Sequence, residues 1–464
     1  MREDSTIFTD SFPSISEVAL EEIDARLCKE IKSIQRGTSD RFSQRSSNRK
    51  DHMQALYLYP AMMVTDIQQE LIKLVRKWQS GTQTLFDPFM GSASTLVASL
   101  ECGMDCYGQD INPMAQLLAQ VKLNPHSMSA LKEAVTSVVA FAEKSQIDRS
   151  VNFNGIDKWF RQDVIAGLSR LREGIIKQES LSIRRFLWVA LAETVRLTSN
   201  SRISTYKLHI RPASEIESRQ INPLIIFKKV AKANIDQVNR YYRRMTAKGF
   251  VAHDKFDRQV QTVIYDSKNG VYPFEIQDKF DLLVSSPPYG DNQTTIPYGQ
   301  HSYLPLQWIV LDDIDVNLTA DILQSTHFID SSSLGGKHGK LTPEEKEAIF
   351  KLSPTLLDMI ILLGKNHPNK VNKVLNFFLD LHLSLKHISE SLKPNSYSIW
   401  TLGNRNVGGK EMPNDKIFCE FLTSLGFVLV TEIERKILNK RMPFKNQFAS
   451  TMKTEKILIY RKRG

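Results

Sequence analysis

The sequence predicts an α/β fold built on a parallel sheet, and three observations carry that prediction. Short apolar runs at Thr84–Phe86, Thr262–Tyr265 and Leu282–Ser285 each end in a polar or Gly/Pro turn, as buried parallel strands do. The first run empties into a small-residue turn, Asp87 to Ala93, and an apolar helical pattern begins at Thr95. About 20 residues beyond that turn, Tyr107-Gly108-Gln109-Asp110 reads as a second strand ending in an acid. A turn of small residues lets the backbone approach a ligand, the helix behind it offers free N–H groups, and the acid can accept both hydroxyls of a ribose. Together they describe half of a nucleoside-binding unit.

The remaining elements follow in chain order. Ser14 to Gln35 carries Leu20, Ile23, Leu27 and Ile31 on one helical face. From Arg36 to Lys50 five basic residues and one acid lie among serines, a composition unable to bury a core, which predicts a mobile arm. Residues 110 and 262 are 152 positions apart, so an insertion separates the second strand from the third. Within it, positions 184–250 hold fourteen Lys or Arg against four acids, the same +10 that the whole chain carries. Phe227, Ala231, Ile235, Val238, Tyr242 and Met245 recur there at helical spacing, and Gly249 supplies the stop. Ser331–Lys340, rich in Gly and Ser, predicts a flexible linker or loop. No internal repeat is visible.

Composition narrows the class. With 464 residues, 41% hydrophobic and 24% charged, the chain is ordinary globular protein of roughly three folding units, and its excess of 61 basic over 51 acidic residues favours an anionic partner. No run of about 18 apolar residues predicts a membrane span. The acidic, weakly apolar N-terminus argues against a secretory signal, and four cysteines fit a reducing cytosol. Cys102 and Cys106 lack the His/Cys partners of a zinc site, so no metal is expected.

The strand Asp281–Ser285 runs into Ser286-Pro287-Pro288-Tyr289. Two prolines fix φ and donate no hydrogen bond, so their carbonyls keep a set direction, and the tyrosine adds a flat apolar face. A rigid acceptor pair beside an aromatic plate suits a planar base bearing an exocyclic amine. Asp87-Pro88-Phe89-Met90-Gly91-Ser92-Ala93 and Ser286–Tyr289 together resemble the cofactor and catalytic motifs of the amino-methylating, S-adenosylmethionine-dependent DNA methyltransferases. The resemblance spans about 250 of the 464 residues. It takes in Tyr59-Pro60-Ala61-Met62, Val263–Ser267, Lys393-Pro394-Asn395, Tyr397–Arg405, Asn439–Pro443 and Glu455–Leu458, the last two as a closing hairpin.

The resemblance implies a Rossmann-like methyltransferase sheet with a largely helical insertion. Residues 1–50 become an N-terminal helix and basic arm, 51–125 the cofactor half of the core, and 126–255 a basic insertion that is the candidate DNA-recognition region. Residues 256–464 become the catalytic half, with a second insertion at about 305–370. It implies S-adenosyl-L-methionine held by Tyr59, Pro60, Phe86, Asp87, Pro88, Gly91, Ser92, Ser94, Asp110, Ile111, Asp266 and Ser267. Ser286, Pro287, Pro288 and Tyr289 are the implied catalytic set, with the Ser286 hydroxyl and Pro287 carbonyl accepting from the amine and Tyr289 stacking on the flipped base. Arg240, Arg243 and Arg244 are the DNA-contact candidates, with double-stranded DNA and a cognate restriction endonuclease as partners and the cytoplasm as location.

Ser at the head of the catalytic motif favours cytosine N4 over adenine N6. Methylation at cytosine C5 is excluded, because no cysteine follows a proline. A guanine-N2 RNA enzyme would carry an N-terminal RNA-binding domain, for which the 51 residues before His52 leave no room, and intact motifs argue against a silent DNA-binding module. Ala93 replaces a customary glycine, so the backbone there is expected to avoid positive φ. The polar run Gly290–Thr295 is expected to form a loop over the base pocket.

Overall fold

The computed structural model describes residues 17–36, 42, 52–252, 255–336, 339–436 and 454–464. Seven strands form one sheet: β1 (Thr84–Asp87), β2 (Asp105–Asp110), β3 (Val260–Ile264), β4 (Phe280–Ser285), β5 (Leu392–Leu402), β6 (Phe427–Lys436) and β7 (Thr454–Lys462). Their spatial order is β6-β7-β5-β4-β1-β2-β3. The pairs within β5-β4-β1-β2-β3 are parallel, while β7 runs antiparallel between β5 and β6. All three apolar runs are strands: β1 extends one residue past its run, and β3 and β4 each begin two residues before theirs. The fold is the Rossmann-like methyltransferase sheet.

Helices cover both faces. The N-terminal helix α1 (Glu17–Arg36) buries Leu20, Leu27 and Ile31, as its spacing requires. Next come α2 (Thr65–Trp78), α3 (Ser94–Glu101) and α4 (Pro113–Lys122). Between β2 and β3 the insertion is helical, with α5 (Met128–Lys144), α6 (Gln162–Ile176), α7 (Leu181–Thr198) and α8 (Pro223–Ala247) as its long members. Its apolar faces join the core that also holds Leu85, Leu96 and Leu282, so insertion and sheet share one interior. The other face of the sheet packs Phe86 and Trp400 against Phe378 and Phe421 from the helices of residues 368–391 and 414–424.

Two expectations need correction here. The stripe of α8 runs through Tyr241, which is 1% exposed, rather than Tyr242, because steps of three and four from Val238 to Met245 place position 241 on the buried face. Of the two readings of Ser331–Lys340, the flexible linker fails, because the segment is anchored at 333–335: Ser333 and Leu334 are buried, and the Gly335 N–H donates to Asp380 Oδ2 at 2.8 Å. Gly335 has φ +74°, and a Cβ there would lie 2.9 Å from the Phe377 backbone, so its glycine serves close packing rather than freedom. Residues 337 and 338 lie outside the described residues, as do most of the Arg36–Lys50 arm and all of Asn439–Pro443.

Candidate active site

Strand order reverses at β1, whose neighbours are β2 on one side and β4 on the other, and ligands of open α/β sheets bind at such a switch point outside the carboxyl ends. Parallel pairing of Phe86 with Leu283 brings the two motifs to one edge. The Ser285 hydroxyl donates to Asp87 Oδ1 at 2.6 Å, and the Phe89 N–H donates to the same oxygen at 3.1 Å. Burial pushes the Asp87 carboxyl up to about 7, against the lowering effect of these bonds. Its Oδ2 is buried without a hydrogen-bond partner.

The turn after β1 is shaped by its glycine. Gly91 has φ +48° and donates to Asp110 Oδ2 at 2.9 Å, while the Asn112 N–H donates to Oδ1 at 2.9 Å. Asp110 thereby ties the turn to the end of β2 and keeps a second lone pair on each oxygen. Ala93, against expectation, has φ +60° and ψ +27°. The turn imposes this left-handed geometry, since Ala93 must donate to the Met90 carbonyl (2.8 Å) and accept from Val97 (3.0 Å) to start α3. Alanine tolerates the strain of about 1–2 kcal/mol. As N-cap it supplies no side-chain acceptor, which leaves the first amides of α3 uncapped.

The other implied cofactor residues divide into two groups. Tyr59 is buried beside the turn, its hydroxyl accepting from Asn112 Nδ2 at 3.2 Å and its ring 5.7 Å from that of Tyr298. Pro60 is buried next to it, and Asp266 lies half-buried past β3, paired with Lys268 at 3.3 Å. Ile111 is half-buried between Asp110 and Asn112. Several side chains instead hold the scaffold. Ser267 donates to the Pro88 carbonyl at 2.6 Å and accepts from Gln109 at 3.0 Å. Ser92 and Ser94 hydroxyls meet at 3.2 Å, and the Ser92 carbonyl accepts from the buried Lys122 ammonium at 2.6 Å. Phe86 is a core residue stacked on Phe280 at 4.6 Å, so only its backbone is left for the site.

At the catalytic motif, Ser286 donates to the Thr401 carbonyl at 3.0 Å. Its single hydrogen is thereby committed, and its lone pairs remain as acceptors. Tyr289 lies half-buried with its hydroxyl donating to Glu455 Oε1 at 3.3 Å. Burial, then the Glu455 charge, hold that phenol well above its ordinary value, so it is neutral. Asn414 donates to the carbonyls of Tyr289 and Gly403, both at 2.8 Å, and clamps the motif's exit. The following loop is tethered: Asp291, 2% exposed, pairs with Lys373 at 3.0 Å and Arg405 at 3.3 Å. Asn112, Asn414 and Glu455 were assigned no role from sequence. Only Asn112 leaves a local signal, an Asn before Pro at a helix start, where its side chain caps the Met114 N–H.

The arginine candidates sit elsewhere. Arg244 donates to Glu101 Oε1 at 2.6 Å, and Glu101 ends α3, which runs from the carboxyl edge back to the amino edge of the sheet. Arg244 is thus a structural partner on the edge opposite the motifs, because its place beside buried Tyr241 and Met245 turns it inward. Arg240 and Arg243 are exposed on the same end of α8.

The chain is 31% identical over 412 residues to the Type II methyltransferase M.MvaI of Kocuria varians, covering 86% of this chain and 87% of that protein. The chain belongs to the Type II methyltransferase family. A shorter match, 31% over 91 residues (20% of this chain and 17% of its relative), is to Type II methyltransferase M.MjaII of Methanocaldococcus jannaschii. The rRNA methyltransferase aviRa from Streptomyces viridochromogenes aligns over 87% of this chain and 86% of its own, with 11% identity and a TM-score of 0.31. No family model matches.

S-adenosylmethionine is the methyl donor of this Type II methyltransferase, and the residues present fit it. The orphaned Asp87 Oδ2 is a buried acceptor suited to an ammonium, the uncapped start of α3 suits a carboxylate, and Asp110 keeps lone pairs for ribose hydroxyls. Among the described residues no cluster of His, Cys, Asp or Glu could hold a metal, and no helix is long and apolar enough to cross a membrane.

Proposed function

We propose that this Type II methyltransferase methylates duplex DNA at the exocyclic amine of a flipped base, with cytosine N4 favoured over adenine N6. The observation that carries the reading is the Ser285–Asp87 bond, which sets the Ser-Pro-Pro-Tyr exit directly against the cofactor turn. The cofactor supplies an electrophilic methyl group. The chain supplies orientation. Ser286, its hydrogen held by Thr401, accepts one amine hydrogen, and the Pro287 carbonyl accepts the other. Two acceptors favour a pyramidal nitrogen whose lone pair points at the methyl, so positioning supplies most of the rate. Tyr289, anchored by Glu455, presents its ring to the base, a stacking contact worth about 1–3 kcal/mol. No general base is needed, since the nitrogen sheds its proton after the methyl arrives.

Incubation with labelled cofactor and duplex DNA, then nucleoside mass spectrometry, tests this. N4-methylcytosine is the expected product, N6-methyladenine would reassign the base, and unlabelled DNA would end the DNA reading. A cognate endonuclease and a cytoplasmic location belong to the same reading, and protection of methylated DNA from that nuclease is the check on the first.

A further inference from the structure

The hairpin of residues 200–211 packs on the helical turn that follows the catalytic motif in the chain. Ser201 and Ile210 form an antiparallel bridge, the Arg202 N–H donates to the His209 carbonyl at 2.8 Å, and the Arg211 N–H donates to the Asn200 carbonyl at 2.9 Å. Its base is fixed by Asn200, whose N–H donates to the Trp159 carbonyl at 2.7 Å. Its tip is held there: the Leu208 N–H donates to Gln300 Oε1 at 3.1 Å, and Tyr206 meets His301 edge-to-face at 5.6 Å. Gln300 and His301 belong to the helix that begins at Tyr298, whose ring meets that of Tyr59 at a tilt of 31°.

The surface of this hairpin is unlike a solvated loop. The twelve residues contain three cations, a histidine and no acid. Arg202 and Lys207 are exposed, and their side chains form no hydrogen bond or ion pair with any described residue. Ile203 and Ile210 stand 43% and 44% exposed beside them. Free cations flanking bare β-branched side chains match a polyanion with an apolar interior: phosphates outside, base edges and stack within.

We propose that the 200–211 hairpin grips the duplex next to the flipped base, with Arg202 and Lys207 on phosphates and Ile203 and Ile210 against the bases. This rests on the DNA-methyltransferase reading above and moves the DNA contact from the Arg240–Arg244 end of α8 to the edge that holds the motifs.

The test uses the full chain with cofactor, plasmid duplex DNA, binding across a salt series, and methyl incorporation. An Arg202→Ala, Lys207→Ala double variant should weaken binding and lower the log–log salt slope by about two units, at roughly 0.9 per phosphate contact, with cofactor affinity unchanged. Ile203→Ser with Ile210→Ser should keep the salt slope and lower methyl transfer at least tenfold. An unaltered slope in the double variant overturns the proposal, as does a fall in slope found only for Arg240→Ala with Arg243→Ala. A change of oligomeric state in the isoleucine variant without loss of DNA binding would make the hairpin a contact between copies and overturn it too. If the unaltered protein methylates no DNA, the reading of its function fails first; if it does and the hairpin variants match it, only the hairpin assignment fails.

Discussion

A hydroxyl has one hydrogen to give, and Ser286 gives it to Thr401. That bond makes the serine an acceptor before any base arrives. Ser286→Ala and Tyr289→Ala should therefore each cut methyl transfer by at least tenfold while cofactor affinity, read by calorimetry, stays within about twofold; joint loss of both would refute the division of roles. Asp110 works on the other side of the site. Its replacement by Ala should raise the cofactor dissociation constant roughly ten- to a hundred-fold, for a pair of charge-assisted hydrogen bonds worth about 1.5–3 kcal/mol. Burial pushes the Asp110 carboxyl up to about 6, against the backbone bonds from Asn112 and Gly91. Its contribution should be present at pH 7 and fade as pH falls through about 6, and titrating affinity from pH 7.5 to 5 checks this.

At the scale of the element, the turn before α3 shows how a backbone demand can outrank a side-chain preference. Ala93 holds φ +60° because two hydrogen bonds, to Met90 and from Val97, require it. Glycine there would relieve about 1–2 kcal/mol of strain but lose chain entropy and a buried methyl of similar worth. Ala93→Gly should accordingly shift unfolding free energy by less than about 1 kcal/mol. A β-branched side chain has no comfortable left-handed conformation, so Ala93→Val should destabilise by more than about 2 kcal/mol and weaken cofactor binding with it. Denaturant midpoints of the two variants separate these outcomes. Helix α8 teaches the complementary lesson. Fourteen cations in one segment read as a DNA surface, yet helical geometry turned Arg244 toward Glu101.

Across the whole molecule, a buried ionic junction joins the layers. His52 lies between Asp66 of α2 at 2.6 Å and Glu101 of α3 at 2.9 Å, and Arg244 of α8 shares Glu101. Burial alone would lower the imidazole, but hydrogen bonds and charge from both carboxylates outweigh it and push it up to about 9. A histidine raised above its unfolded value of 6.5 stabilises fully below about pH 6.5. That stability, up to about 3 kcal/mol, is lost as pH rises through about 9. Unfolding free energy should decline over that window, and His52→Gln should flatten the decline. An equal slope in the variant would place the titrating group elsewhere.

The sequence by itself determined the local structure: the four strands signalled by apolar runs and a terminal acid, the glycine turn after β1, and the Ser-Pro-Pro-Tyr exit of β4, because such features are set by contiguous residues whose conformational limits are intrinsic. It also determined that an insertion would separate Asp110 from the third strand and that positions 227–245 within it would be helical, since helical periodicity survives without its partners. Tertiary structure alone decided which edge each part faces. Glu455 reaches Tyr289 across 166 positions of chain, Asn414 clamps it across 125, and Glu101 meets Arg244 across 143. Such pairings depend on strand order and helix direction, which no window of sequence encodes. The backbone strain at Ala93 was hidden for the same reason: φ there is imposed by hydrogen bonds closed on either side of it, and the alanine merely permits it.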